Sequence, residues 1–263
     1  VRVVIGEGEK DDAPMLYAGE ELGTGDGPAC DLAVDPLEGT KLCARGQEGA
    51  VSVLAAAPTG SLWATPGWYM EKLVVGAAAA DAVSLDLPVE ENLAAVAAAL
   101  GKPVNELAVA IQDRPRHTEL VAAVRRTGAA VVFFADGDVM TSLRVLLPGG
   151  DLDMLVGVGG APEGVIMGCA TRALGGGMQG RLAPQSDGER ARLEEAGADL
   201  SHIVGVDELV ADDDCVFVAT AITGGTMLGR PEPGPGGWWT TSLLSTPDHP
   251  ALIVKSFVPR SRP

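Results

Sequence analysis

The chain is predicted to adopt a layered α/β fold, and the pattern of apolar residues supports this prediction. Short apolar runs rich in β-branched residues alternate with segments of helical periodicity along most of the 263 residues. Most of these runs are apolar throughout, which is typical of strands buried on both faces of a sheet. Several of the helical segments have proline near the first turn and glycine after the last, as helix ends prefer.

The predicted elements follow one another in a regular order. Strands are predicted at residues 1–5, 31–34, 50–57, 107–112, 130–136, 153–158 and 215–222, and at 239–245 and 251–257 after a turn or loop rich in proline and glycine at 230–239. Helices are predicted at residues 88–101, 116–128, 138–147, 162–177 and 187–197. A soft boundary near residues 101–106 separates a predicted N-terminal lobe, 1–105, from a C-terminal lobe, 106–263.

Composition restricts the classes of partner. The formal net charge of -17 argues against nucleic acid and anionic membranes, because an acidic surface repels both. No apolar run reaches the roughly 18 residues that span a bilayer. The four cysteines and three histidines lack the spacing of metal ligands, which predicts reduced, half-buried thiols and histidines at the surface or at helix ends. A cytoplasmic protein is therefore expected.

An acidic segment follows the first predicted strand. Glu7 lies between Gly6 and Gly8, and a carboxylate in this position can reach a divalent cation, since Mg²⁺ and Mn²⁺ prefer hard oxygen ligands. A solvated acidic turn is the competing interpretation, and it is favoured for Asp11 and Asp12. Glu7 is thus the candidate metal ligand of this segment.

The sequence DPLEGT combines two carboxylates with a possible phosphate site. Asp35 and Glu38 can face one cation from two sides, beside a turn predicted to start at Pro36. Gly39 permits close approach of the backbone, and Thr40 is predicted at a helix N-terminus, where free N–H groups favour phosphate. From spacing alone, a turn with two incidental carboxylates explains the segment equally well.

Two further segments carry candidate ligands after predicted strands. In GVGGAPEGV, the glycines and a proline make a helix start suited to phosphate, where Glu163 is either a metal ligand or an ordinary N-terminal glutamate. In DRPRH, Arg114 and Arg116 flank a proline and can clamp an anion. Asp136 and Asp138, after the next strand, can either accept hydrogen bonds from sugar hydroxyls or simply start the following helix.

Taken together, these motifs resemble the class II, GlpX-type fructose-1,6-bisphosphatases of the lithium-sensitive sugar and inositol phosphatase superfamily. DPLEGT fulfils the superfamily signature Asp-Pro-aliphatic-Asp/Glu-Gly-Thr/Ser. VVIGEGEKDDAPMLYAGEELG, DRPRH, DGDV, GVGGAPEGV and LAP occur in the family's order, so the resemblance covers nearly the whole chain. It implies a layered αβαβα sugar-phosphatase fold, and a homo-oligomer, either dimer or tetramer, is expected.

The resemblance also implies roles for individual residues. The implied metal ligands are Glu7, Asp35, Glu38 and Glu163. The implied substrate-binding residues are Glu38, Gly39, Thr40, Tyr69, Arg114, Pro115, Arg116, Asp136, Gly137, Asp138 and Gly160. Direct catalytic roles are expected for Thr40, Asp35 and Glu7. Without the resemblance, Tyr69 would be interpreted as a core or interface aromatic residue.

The implied reaction is hydrolysis of the 1-phosphate of fructose 1,6-bisphosphate in gluconeogenesis, with sedoheptulose 1,7-bisphosphate as a further substrate. Two or three Mg²⁺ or Mn²⁺ ions would neutralise the phosphate and activate a water for in-line attack, with Thr40 orienting the water or the phosphate. Two alternatives stay open. One is an inositol or other sugar monophosphatase, against which the arginine pair argues, and the other is a non-catalytic family member that binds sugar phosphate or serves in assembly.

The sequence departs from the family pattern near both ends. Val1 begins inside a predicted strand without a methionine, and family members carry another metal-binding aspartate upstream, so an N-terminal portion is expected to be missing. Thr226 stands where the family usually has an acidic residue, and the last strand lacks the usual basic and histidine-containing ending. These departures concern oligomer contacts and substrate preference more than the type of reaction.

Overall fold

A computed structural model describes residues 1–6 and 15–260 of the chain. The candidate ligand Glu7 and its neighbours Asp11 and Asp12 therefore lie outside the described residues. The described residues form two mixed β-sheets with helices between them and on one outer face, which confirms the predicted layered α/β fold.

The described strands and helices are as follows. The strands are β1 (Arg2–Ile5), β2 (Cys30–Glu38), β3 (Val51–Pro58), β4 (Tyr69–Val75), β5 (Ala108–Gln112), β6 (Ala130–Phe134), β7 (Met154–Gly160), β8 (Gly177–Leu182), β9 (Val204–Gly205), β10 (Val216–Ala221), β11 (Glu232–Gly234), β12 (Gly237–Thr246) and β13 (His249–Pro259). The helices are α1 (Thr40–Ala44), α2 (Val89–Leu100), α3 (Thr118–Arg126), α4 (Asp138–Leu146), α5 (Ala161–Leu174), α6 (Asp187–Glu195) and α7 (Val206–Leu209). Short 3₁₀ turns lie at Ala77–Ala79, Val104–Glu106 and Pro115–His117.

Each sheet mixes parallel and antiparallel pairs. The first has the order β1-β2-β3-β10-β12-β11, with β13 also paired to β12, and only its β1–β2 pair is parallel. The second has the order β6-β5-β7-β4-β8-β9, in which β5 runs parallel to β6 and to β7. Both sheets draw strands from either side of residue 105, and the division into two lobes there stays a prediction.

The main core lies between the two sheets. Strand β3 alternates buried and half-buried positions, and it sends Val51, Val53 and Ala55 inward. Helices α4 and α5 fill the space between the sheets, with Leu143 and Ile166 fully buried there. Because α5 packs against strands of both sheets, its N-terminus is held rigidly at the edge of this central layer.

A second core covers the other face of the second sheet. Strand β4 sends Met70 and Val74 into the main core and Leu73 and Val75 into this second core. Helices α2 and α3 close it. Burial on both faces explains why β5 lacks polar alternation in the sequence.

The strands differ from their predictions at several places. The predicted turn at Pro36 is wrong, because β2 continues to Glu38 through an irregular register between Asp35 and Glu38. Proline has no N–H to donate to a sheet ladder, and an irregularity in register accommodates it. Strands β4 and β8 were not among the predicted strands, since β4 carries Glu71 and Lys72 and β8 is rich in glycine.

The C-terminal segment also departs from its prediction. Residues 230–239 form strand β11 and the start of β12 rather than only a turn or loop, and Trp238 and Trp239 lie exposed on β12. All four cysteines are free thiols, as predicted, but Cys169 and Cys215 are buried rather than half-buried. Among the described residues, no helix is both long and apolar enough to cross a bilayer.

Candidate active site

Three of the predicted metal ligands converge at the edge of the central layer. Asp35 and Glu38 lie at the end of β2, and Glu163 lies in the first turn of α5. One carboxylate oxygen from each lies within 4.8 Å of the others. Three hard oxygen donors at this spacing are the kind of ligand set that divalent cations such as Mg²⁺ prefer.

Backbone N–H groups hold two of these carboxylates in place. Asp35 Oδ1 accepts a hydrogen bond from the Leu37 N–H at 2.9 Å. Glu38 Oε1 accepts one from the Val139 N–H at 3.1 Å, in the first turn of α4, and Glu38 Oε2 accepts one from the Gly39 N–H at 3.2 Å. These donors are neutral, so their hydrogen bonds hold the carboxylates in place without themselves adding positive charge.

The electrostatics of Glu38 support a cation site. Its side chain is buried, and burial raises the pKa of this carboxyl well above its usual value, with further contributions from the charges of Glu163, Asp138 and Asp35. The Val139 N–H opposes this rise in pKa only partly. A divalent cation would relieve the repulsion among the carboxylates, so the residues present fit such an ion.

The end of the signature segment makes the predicted helix start. Gly39 precedes α1 with φ of 83°, a left-handed conformation that favours glycine, and Thr40 is the first residue of the helix. The Thr40 hydroxyl donates a hydrogen bond to the Leu37 carbonyl at 3.0 Å. The Thr40 side chain is exposed at the surface beside the carboxylates, where a ligand can reach it.

The predicted arginine pair lies in the turn after β5. Arg116 donates from Nε and Nη2 to the Val158 carbonyl, at 3.1 and 2.6 Å, and its guanidinium lies 5.5 Å from the centre of the Tyr69 ring. Arg114 donates from Nη1 to the Asp113 carbonyl at 2.9 Å. Pro115 begins the 3₁₀ turn between them. The structure therefore brings Tyr69 and the arginine turn together at the end of β7.

Asp136 connects this turn to the signature segment. Its Oδ2 accepts a hydrogen bond from the Lys41 N–H at 3.1 Å, and its Oδ1 lies 3.8 Å from Arg114 Nη2. Gly137 follows with φ of 89° and precedes α4, whose first residue is Asp138. Of the two interpretations of this segment, the helix start is thus correct for Asp138, and contact with a sugar stays a prediction.

Three buried polar residues near the site, His117, Glu189 and Lys72, were not predicted to have a role there. His117 precedes α3, as a helix-end histidine would, but it is buried, with Nδ1 2.7 Å from the Gln112 carbonyl. The Val158 N–H donates to its Nε2 at 2.8 Å, so the imidazole is neutral with its proton on Nδ1. Burial lowers the pKa of His117, which favours this neutral form. His117 thereby holds the arginine turn against β7.

The second is Glu189, which fixes the start of β4. Glu189 Oε1 accepts hydrogen bonds from the Trp68 and Tyr69 N–H groups, at 3.0 and 3.2 Å. Its Oε2 accepts one from the Gln185 N–H at 2.9 Å. The sequence offered no signal for this role, because Glu189 resembles an ordinary solvent-facing residue of a charged helix.

Lys72 is a third residue that the sequence reasoning missed. It lies within β4 and is only 1% exposed. Its ammonium donates to Asp138 Oδ2 at 2.6 Å and to the Gly160 carbonyl at 2.9 Å. The available signal was a lysine within the apolar segment that forms β4. A lysine buried in a sheet requires an acidic partner, so its position indicates that one lies nearby.

Comparison with known proteins identifies the family. A family model described as bacterial fructose-1,6-bisphosphatase, glpX-encoded, matches residues 1–252. The chain belongs to this family. It is 44% identical over 256 residues to fructose-1,6-bisphosphatase 2 class 2 of Escherichia coli K12, which covers 92% of this chain and 80% of that protein. It is also 44% identical over 239 residues to fructose-1,6-bisphosphatase 1 class 2 of the same strain, covering 86% of this chain and 71% of the relative.

Proposed function

We propose that this GlpX-family chain hydrolyses the 1-phosphate of fructose 1,6-bisphosphate to give fructose 6-phosphate and phosphate, a step of gluconeogenesis. The observation that carries the proposal is the convergence of Asp35, Glu38 and Glu163 within 4.8 Å. Relatives at 44% identity that are named class 2 fructose-1,6-bisphosphatases support the choice of substrate.

The reaction depends on Mg²⁺ or Mn²⁺ in this proposal. Asp35, Glu38 and Glu163 would hold the ion, together with Glu7 from outside the described residues. Such an ion, when bound, neutralises phosphate charge and makes water a stronger nucleophile at neutral pH. The raised pKa of Glu38 supports this assignment, because a group that resists ionisation in the free protein gains from a neighbouring cation.

The remaining residues of the site bind and orient the substrate. The phosphate that is cleaved is assigned to the start of α1, where the exposed Thr40 hydroxyl orients it or the attacking water. Gly39 and Gly137 carry no side chain, so the backbone at these positions can approach the substrate closely. Asp35 is also assigned a catalytic role, because it lies beside the phosphate in this proposal.

The second phosphate is assigned to the arginine turn. Arg114 and Arg116 would hold the phosphate that is not cleaved, with Pro115 keeping the turn stiff and Tyr69 packing below. Further sugar contacts are proposed for Asp136, Asp138 and Gly160. Because a monophosphate leaves this second anion site empty, the pair favours a bisphosphatase over an inositol or sugar monophosphatase. Sedoheptulose 1,7-bisphosphate, which carries the same two end groups, is a proposed second substrate.

We also propose that the protein is a homo-oligomer, either a dimer or a tetramer. Apolar side chains exposed on the β12–β13 hairpin support association between copies; they include Trp238, Leu252, Ile253 and Val258.

The test of the proposed activity is phosphate release from fructose 1,6-bisphosphate by the purified protein. Release is measured with Mn²⁺, with Mg²⁺ and after chelation, and fructose 6-phosphate and inositol 1-phosphate serve as comparison substrates. Release that requires the metal and the bisphosphate supports the proposal. Equal turnover of a monophosphate would instead favour a monophosphatase, and binding without turnover would favour the non-catalytic alternative.

A further inference from the structure

Lys72 occupies an unusual position for a cationic side chain. It is 1% exposed, and it lies in β4 between strands β7 and β8. Burying an ammonium group is costly unless it is paired and hydrogen-bonded. The partners are Asp138 Oδ2 at 2.6 Å and the Gly160 carbonyl at 2.9 Å, with Met167 Sδ at 3.7 Å. All of its described polar contacts are thus directed at the segments that carry the candidate site.

These partners belong to the starts of two helices. Asp138 is the first residue of α4, and Gly160 precedes α5, which carries Glu163 in its first turn. The Lys72 ammonium therefore bridges the two helix starts beside the carboxylate cluster. A fixed geometry for Glu163 follows from this bridge, because the Gly160 carbonyl lies at the entry of its helix.

The backbone of β7 leaves space for this ion pair. A Cβ atom on Gly159 would overlap Asp138 Oδ2 and would lie 2.9 Å from Lys72 Nζ. Because Gly159 has no side chain, the Lys72 ammonium and the Asp138 carboxylate can form their ion pair beside it.

The pair matters because Asp138 lies near the other carboxylates. Asp138 directly precedes Val139, whose N–H donates to Glu38 Oε1 at 3.1 Å, and its charge contributes to the raised pKa of Glu38. Asp138 nevertheless lies outside the described cluster of three carboxylates, and its Oδ2 accepts from the Lys72 ammonium instead.

We propose that Lys72 is a positioning residue that engages Asp138 and keeps it from becoming a cation ligand, so that Asp35, Glu38 and Glu163 remain the donors. This inference rests on the proposed function of the same cluster. It deepens that function by explaining why Asp138, a carboxylate beside the cluster, is not one of its three donors. Lys72 touches neither phosphate nor attacking water in this assignment, and it acts through Asp138.

Variants that change the charge of Lys72 or Asp138 should differ in cation affinity in a definite order. A lysine with a purely structural role would not produce this order. Lys72→Met keeps a side chain of similar length but removes the positive charge, whereas Asp138→Asn removes one negative charge. The double variant restores the net charge of the wild type. The expected order of Mn²⁺ affinity is Lys72→Met above wild type, the double variant close to wild type, and Asp138→Asn lowest, with steps of about tenfold or more.

Isothermal titration calorimetry with Mn²⁺ alone measures these affinities without any turnover. Lys102→Met is the matched control, because Lys102 pairs with Asp153 at 2.5 Å at a distance from the cluster, and its Mn²⁺ affinity is expected to equal that of the wild type. Circular dichroism establishes that each variant is folded. If Lys72→Met does not fold, the double variant is compared with Asp138→Asn, which it should exceed in affinity by about tenfold.

The outcomes separate this inference from the proposed function. Equal affinities in Lys72→Met and wild type, or in the double variant and Asp138→Asn, would overturn the role of Lys72. Steady-state kinetics on fructose 1,6-bisphosphate add a second readout, in which Lys72→Met raises KM more than it lowers kcat, because Asp138 is released from its place. If the four proteins follow the expected order of Mn²⁺ affinity but the wild type releases no phosphate, the phosphatase activity is refuted and the inference about Lys72 is supported.

Discussion

The candidate site and the C-terminal hairpin are opposite exceptions to the usual distribution of side chains. In the site, charged groups are buried, with Glu38 6% and Lys72 1% exposed. In the β12–β13 hairpin, apolar groups face outward, with Leu252 50% and Ile253 55% exposed. Buried charges and exposed apolar patches are the informative deviations from ordinary burial.

The difference shows how each region is completed. The buried charges satisfy one another and backbone groups within the chain, and they retain an excess of negative charge that a cation can balance. The hairpin has internal contacts of its own, such as Trp239 against Phe257 at 5.2 Å, yet it leaves neighbouring apolar side chains exposed. One region is therefore suited to a small charged ligand, and the other to another protein surface.

Removing a carboxylate from the cluster should have the largest effect. Asp35→Asn or Glu163→Gln is expected to lower kcat for fructose 1,6-bisphosphate by about 10³-fold or more, because each loses a charged donor to the cation. Asp207→Asn is the control, since Asp207 is highly exposed and pairs only with Arg172 in the described chain. Retained metal-dependent turnover in either cluster variant would show that the ligand assignment is wrong.

Filling the space at the end of β7 should disturb both charge and packing. Gly159→Ala would force apart Asp138 and Lys72, and we expect a loss of about 2 kcal/mol in the free energy of unfolding. Gly188→Ala is the matched control, because nothing lies within 4 Å of a Cβ there, and it should be neutral or slightly stabilising. Chemical denaturation measures both; equal stability of the two variants would contradict the close fit.

Substitution in the arginine turn should affect substrate binding more than turnover. Arg114→Ala is expected to raise KM for fructose 1,6-bisphosphate by about tenfold or more, because a charged hydrogen bond to phosphate is lost. The KM of a sugar monophosphate should change little. Arg125→Ala, in the last turn of α3, is the control. An equal rise in KM for both substrates would remove the argument for a bisphosphate clamp.

The buried carboxyl of Glu38 should make stability depend on pH in a specific direction. Its pKa is raised in the folded protein, so the folded state binds more protons than the unfolded state above about pH 4.5. The metal-free wild type should therefore lose stability relative to Glu38→Gln as the pH rises through the raised pKa. Urea denaturation of both proteins between about pH 5 and 8 measures this loss of stability.

An exposed carboxyl provides the contrast to Glu38. The Arg144 guanidinium holds the pKa of Asp151 below its usual value, so its contribution is present at neutral pH and is lost as the pH falls. Asp151→Asn should consequently be slightly less stable than the wild type at neutral pH, and this difference in stability should disappear under acidic conditions.

For Glu38, the contradicting outcome is a difference in stability between wild type and Glu38→Gln that stays constant across the pH range. It would mean that the pKa of Glu38 is not raised in the folded protein.

Changing the hairpin should have the smallest effect on chemistry. Ile253→Lys is expected to shift the protein toward smaller assemblies in sedimentation velocity, because a charge replaces an exposed apolar side chain. The kcat per chain should stay within about twofold, since the hairpin contributes no group to the carboxylate cluster. Leu87→Lys changes an exposed apolar residue elsewhere and is the control. An unaltered assembly would remove the hairpin from the interface.

The sequence predicted most helices and the buried strands because their apolar patterns are local. It also predicted that Asp35, Glu38 and Glu163 belong together, although only the resemblance, not the spacing, decided between a metal site and incidental turns. It missed β4, since the charged pair Glu71 and Lys72 interrupts the apolar pattern there. Lys72 makes sense only beside Asp138, which is 66 residues away along the chain.

The other omissions have the same physical origin. His117 and Glu189 act through backbone groups of distant segments, which no local pattern specifies. The continuation of β2 past Pro36 depends on pairing with β3, so the residues of the signature favour a turn only when they are considered alone. Long-range pairing therefore decided the features that local propensity predicted incorrectly.

The glycines of β7 tie the assembly of the sheet to the assembly of the site. Cβ atoms on Gly157, Gly159 and Gly160 would collide with His117, Asp138 and Glu163, respectively. The register that pairs Tyr69 with Gly160 thus sets three site groups at once. A larger residue at any of these three glycines of β7 would therefore displace a side chain of the site without itself being a ligand.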